Sequence, residues 1–200
     1  SVSPMIMVAH PSVGVKSAKE LIALARKHPG VTCGNAGIGT VTHMAAEKFR
    51  MRAGIDLTPV NYKGGATSTI SLLTGEIALI VTTIPAALEY VRTKRLVAIG
   101  LTAEKRSALL PEIPALGETV KGVDAAVIAA VLAPAGTPRA VIDRLNAEFA
   151  RAVDSSRAKE IFAVNGAEAM KASPEAMQRS LEQDVKTWAD VVKATGVKLQ

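Results

Sequence analysis

The residues with the most chemical potential lie between Asn35 and His43, in the stretch CGNAGIGTVTHM. Gly37 and Gly39 allow backbone geometries that other residues resist. Thr40 and Thr42 can cap a helix or offer hydroxyls. A glycine-rich turn from a strand into a helix presents unpaired N–H groups and the positive end of the helix dipole, which is a seat for an anion. Spacing alone leaves two readings open, an anion seat or a tight connecting turn. The dinucleotide fingerprint fails, because Gly37-Ile38-Gly39-Thr40-Val41-Thr42 lacks the third glycine, and no GKS or GKT is present for a P-loop.

Two further turns repeat the arrangement. Tyr62-Lys63-Gly64-Gly65-Ala66-Thr67 lies between a strand-like and a helix-like run, and Thr82-Thr83-Ile84-Pro85 does the same with two hydroxyls. Together the three could line a polar cleft at the carboxyl ends of strands, where open α/β sheets gather ligands. The plainer readings are a solvated cation for Lys63 and strand-end or N-cap residues for Thr82 and Thr83.

A reactive pair is harder to find. Cys33 with His43 would make a thiolate–imidazole couple, but no orienting third residue is evident. Inside a strand Cys33 reads as a buried, inert thiol, and His43 in a first helical turn as a packed or capping residue. His10 and His28 stand alone, and no His/Cys/carboxylate set has metal-ligand spacing. No cofactor is expected.

The elements that must position these turns alternate along the chain. Met5–His10 reads as a buried strand, and Ser17-Ala18-Lys19-Glu20 as a capping box opening a helix that stops at Pro29-Gly30. Strands follow at Val31–Asn35, Leu57–Tyr62, Ile77–Thr83 and Leu96–Leu101. Helices lie between them at Thr40 to Ala53, Thr67–Thr74 and Pro85–Thr93. This order predicts an α/β lobe with a mainly parallel sheet. Lys105 to Asp124 reads as a connector and Ala125–Ala133 as one more buried strand. Helices are expected from Thr137-Pro138 to Val153, near Ser156–Val164, and from Ser173-Pro174 to Lys193, the last anchored in the core by Trp188 in register with Leu181, Val185, Val191 and Val192.

Bulk properties narrow the classes. Of 200 residues 48% are hydrophobic and only 3% aromatic, so the core must be aliphatic, disorder is excluded, and stacking on nucleic-acid bases is not expected. The net charge of +6 is scattered among acids rather than run together, which argues for a solvated surface over a nucleic-acid patch. The longest apolar stretch, Ala125 to Ala133, falls short of the roughly 18 to 20 residues of a membrane span. No signal peptide, internal repeat or low-complexity tract is visible, and one cysteine leaves the compartment open.

The ordered set VTCGNAGIGTVTHMAAEKF, YKGG, LLTGEI, AEKRS and LAPAGTP resembles the tripartite tricarboxylate transporter receptor family, the TctC-like or Bug-type solute-binding proteins, over essentially the whole chain. The resemblance implies a two-lobed, type II periplasmic-binding-protein fold that clasps a small carboxylate between helix N-termini and delivers it to membrane permease subunits. It implies no catalysis. By position the ligand loop falls on Asn35 to His43, with Ala36, Gly37, Gly39 and Thr40 as donors, Thr42 and His43 behind them, and Lys63-Gly64 beside the cleft. Residues 4–122 correspond to the second lobe and 123–200 to the C-terminal part of the first, whose opening βα units have no counterpart here. Thr82-Thr83 stands where the family often has Asp-Asn, and DAAVIAAV replaces an aromatic-bearing segment.

Leu145, Phe149 and Phe162 are then expected to be partly uncovered, favouring self-association. An α/β transferase or hydrolase using Cys33 or His43 is the alternative, and a ligand-sensing domain of a regulator a third reading.

Overall fold

A computed structural model describes residues 1–198. A long first strand, β1 (Val2–Ala9), is followed by α1 (Ala18–Lys27), β2 (Val31–Asn35), α2 (Val41–Ala53), β3 (Leu57–Asn61), α3 (Gly65–Leu73), β4 (Leu79–Thr83), α4 (Ile84–Arg92) and β5 (Val97–Leu101). Ser17 caps α1 by accepting the Glu20 N–H at 3.2 Å, while the Glu20 carboxylate reaches one residue further back than a capping box requires, to the Lys16 N–H at 2.8 Å.

The strands lie in the order β3-β2-β4-β1-β5. β2 is parallel to β3 and to β4, whereas β1 runs antiparallel to both β4 and β5. Four strands therefore point one way, with one reversed strand in their midst. β1 is apolar on both faces, and Met5 through Ala9 are fully buried between the two helical layers. One layer packs Leu21, Ala45 and Phe49 against Met5, Met7 and Leu79; the other packs Leu72, Ile84 and Ala87 against Ile6, Val8 and Ile80.

The first residues of β1 continue past the sheet. Val2–Pro4 pairs with β6 (Ala126–Ile128), and Val2 bridges Glu168. Thr102 fixes the point of departure. Its buried hydroxyl accepts the Met5 N–H at 2.8 Å and donates to the Ala125 carbonyl, so the end of β5, the body of β1 and the approach to β6 share one side chain.

The strand expected over Ala125–Ala133 is thus much shorter and only half-buried. β1 offers three residues of edge, and beyond Ile128 the chain leaves the ladder, with Val131 and Leu132 67% and 74% exposed. The remaining chain is helical: α5 (Arg139–Ala152), α6 (Ser156–Val164) and α7 (Pro174–Thr195). α7 returns across α2, and Trp188 packs on the core as expected, but Val185 points outward at 70% exposure. Leu145 and Phe149 on α5 are exposed and Phe162 on α6 is half-buried.

Candidate functional site

Because β2, β3 and β4 are parallel neighbours, their carboxyl ends lie along one edge of the sheet. Each leads into a helix. The reversed strand β1 enters through the same edge, since Met5 pairs with Thr83 and Val2–Pro4 lies beyond it. The three small-residue turns singled out in the sequence therefore do come together. Beyond them sits the β6 region, with Gly166 so close to Ile84, the first residue of α4, that a Cβ there would stand 2.5 Å from Ile84 Cδ1.

The turn after β2 is held by its own side chains. Asn35 is 1% exposed; its Oδ1 accepts the Gly37 N–H at 2.9 Å and its Nδ2 donates to Asn61 Oδ1 at 2.8 Å. Thr42 Oγ1 accepts the Ala36 N–H at 3.1 Å, and His43 Nδ1 accepts the Gly39 N–H at 3.1 Å. The Thr40 hydroxyl donates to the Gly37 carbonyl at 2.7 Å and contacts Thr42 Oγ1 at 3.0 Å. Gly37 and Gly39 adopt φ of +135° and +75°, regions that side chains disfavour.

These bonds redistribute the roles read from the sequence. The amides of Ala36, Gly37, Gly39 and Thr40 already have acceptors within the turn. Within this turn and the first turn of α2, the N–H groups of Ile38, Val41 and Thr42 have no acceptor among the described residues. Asn35, Thr42 and His43 act as the frame. Sequence reasoning passed over Ile38 and Val41 because their side chains are apolar; only their backbone nitrogens are on offer.

The turn after β3 is stitched to the first. The Tyr62 N–H donates to Asn35 O and the Gly64 N–H to Ala36 O, both at 3.1 Å. Gly64, at φ +120°, opens α3 without a side-chain cap, so the Gly65, Ala66 and Thr67 amides carry no acceptor among the described residues. Lys63 projects into solvent beside them. After β4, Thr83 is exposed and caps α4 with its backbone alone, while Thr82 is buried in the strand. The edge thus gathers three helix starts whose partial positive charges add, with Lys63 as a peripheral full charge.

Neither candidate reactive group is poised. Burial pushes the Cys33 thiol up to about 12, with the Glu47 carboxylate adding to the effect. Burial likewise pulls the His43 imidazole below its ordinary 6.5, opposed by Glu47 and assisted by Arg50. A neutral imidazole suits its place, since Nδ1 must keep a lone pair for Gly39. No three His, Cys, Asp or Glu side chains among the described residues could hold a metal ion, and no described helix is long and apolar enough to cross a membrane.

Known proteins are similar to this chain in sequence and in fold. The chain is 31% identical to protein BugT of Bordetella pertussis over 201 residues, covering 98% of this chain and 61% of BugT. A Pseudomonas protein encoded between tcbD and tcbE is 27% identical over 192 residues, covering 94% of this chain and 57% of that protein. The chain therefore spans about three-fifths of the curated relatives it matches. Among solved structures, an R. palustris protein with adipate superimposes with a TM-score of 0.86 at 29% identity, over 98% of this chain and 67% of that one. The periplasmic binding protein BugD gives a TM-score of 0.82 at 28% identity, over 100% of this chain and 68% of that one. A family model described as the tripartite tricarboxylate transporter family receptor, TctC, matches residues 1–197, and the chain belongs to that family.

Proposed function

We propose that this chain is the larger part of an extracytoplasmic solute receptor that binds a small carboxylate. The observation that carries the reading is the row of three helix starts at one sheet edge, with free backbone amides at Ile38, Val41, Thr42, Gly65, Ala66 and Thr67. A carboxylate needs donors, and charge-assisted hydrogen bonds contribute about 1.5–3 kcal/mol each, enough for micromolar affinity from three or four. The adipate in one structural relative is an acid of this kind.

The enzyme alternative finds no support, because the matched relatives and solved structures are receptors and binding proteins and the Cys33 thiol is buried and protonated. The reading places the protein in the periplasm, handing its ligand to membrane permease subunits. It also assigns residues 4–122 to one lobe and 123–198 to part of another, with β1 passing between them. The exposed row of Leu145 and Phe149 on α5 would then be packing surface of that second lobe.

Isothermal titration of the full gene product against a panel of mono-, di- and tricarboxylates tests the proposal. Micromolar binding of at least one acid, lost when Gly37 and Gly39 are both replaced by Ala, is expected. Heat-silent titrations across the panel would overturn it.

A further inference from the structure

The lobe carries a second concave surface at the opposite end of α2 from the free amides. The helix has 13 residues, so the two ends stand roughly 20 Å apart. This depression has a volume of about 530 Å³ and lies between α1, the last turn of α2 and the segment following Glu118. Its rim holds four cations, Lys19, Arg26, Arg52 and Lys121, and its floor is apolar, with Ile22 and Val120 among its side chains. No carboxylate lines it, and among the described residues none of the four cations forms an ion pair.

One of the charges is held by a hydrogen bond and a second lies against the backbone. Arg26 Nη2 donates to the Ala53 carbonyl at 3.2 Å. The Arg52 guanidinium lies over Gly122, where a Cβ would stand 3.2 Å from its Nε, and Gly122 (φ +72°) is itself fixed by donating its N–H to Glu104 Oε1 at 2.6 Å. The Arg26 guanidinium, already bonded, loses less side-chain freedom on meeting a partner.

From this we infer that the groove is a docking surface for an acidic, partly apolar peptide segment of a protein partner, separate from the carboxylate seat. An apolar floor inside a cationic rim matches a segment that alternates carboxylates with aliphatic side chains. It contributes nothing to an inorganic polyanion, and the groove lacks the aromatic platforms that a nucleic-acid strand would use.

Fluorescence anisotropy with a short labelled peptide of glutamate and leucine, beside a glutamine-for-glutamate version, tests this on the full chain. Saturable binding of the acidic peptide, weakened by salt and absent for the neutral one, is expected. Arg26→Glu with Arg52→Glu should weaken it about tenfold or more. So should Lys19→Glu with Lys121→Glu, which break no hydrogen bond in the fold. The charge-matched control Lys186→Glu with Lys193→Glu, on the exposed side of α7, should leave it unchanged. Failure of the wild type to bind, equal loss in the control, or binding of polyphosphate or anionic vesicles in preference to the peptide would overturn the proposal. Carboxylate titrations of the same variants keep this result distinct from the main site.

Discussion

His43 Nδ1 accepts the backbone N–H of Gly39 across one turn of chain, at 3.1 Å, and thereby sets the shape of the loop whose outer amides remain free. The bond exists only while Nδ1 is unprotonated. The imidazole's affinity for protons is depressed in the folded protein, chiefly by burial, so the unfolded chain takes up the proton first. His43 therefore contributes full stability above 6.5, and that contribution falls away as pH drops below 6.5 toward the folded value. Denaturation midpoints measured down through this range should decline in wild type and decline less in His43→Gln; parallel slopes would contradict the assignment. His43→Ala should cost about 1–3 kcal/mol, with His43→Asn, which restores an acceptor, recovering part of it.

Thr42→Val keeps the volume and removes the acceptor of the Ala36 N–H. Urea denaturation should show a loss of about 1–2 kcal/mol, and calorimetry a weaker carboxylate affinity. A variant as stable and as tight as wild type would remove Thr42 from the frame.

Gly37 and Gly39 differ from the other turn residues in what they demand of the backbone. At φ +135° and +75° an alanine costs about 1–3 kcal/mol. The expected phenotype is selective: a folded lobe by circular dichroism, with affinity reduced more than stability. Unchanged affinity in Gly39→Ala would show that the ligand does not read this turn.

Lys48 is 4% exposed, yet its ammonium reaches the Asp124 carbonyl and Oδ1 and lies 5.4 Å from the Trp188 ring centre. Asp124 is open to water, so losing the pair strands no buried carboxylate. Lys48→Met should stay within about 1 kcal/mol of wild type. Lys48→Ala, which also empties the space beneath Trp188, should cost about 2–3 kcal/mol. Equal losses in the two variants would mean that the charge, not the packed stem, matters.

The uncovered side chains of α5 predict an assembly state for this chain on its own. Leu145 and Phe149, 42% and 45% exposed, favour concentration-dependent association by light scattering, reduced by Leu145→Glu. A stable monomer at high concentration would count against it.

Much of this architecture was legible in the residues. The strand Val31–Asn35 fell on its β-prone run, and the helix Val41–Ala53 began where the Thr40 cap put it, because capping chemistry is local. Strand direction is not. Nothing in the unbroken apolar run Met5–Ala9 says that β1 runs against its neighbours, since burial on both faces looks the same either way round. The length of β6 depended on how much edge β1 had to spare, which its own apolar run could not disclose. At the site, the glycines were visible but their bonding was not. Which amides stay free is decided by where Asn35, Thr42 and His43 turn their side chains, three choices made in space.

The reversed strand makes the fold unusually intolerant of one deletion. Deleting Val2–Ala9 would leave β4 and β5 facing each other across a slot about 9–10 Å wide, two strand spacings, with both flanks stripped of their ladders. A version lacking Val2–Ala9 should therefore be insoluble, whereas a synthetic peptide matching Val2–Ala9, supplied in trans, should restore it, much as a replaced stave closes a cask.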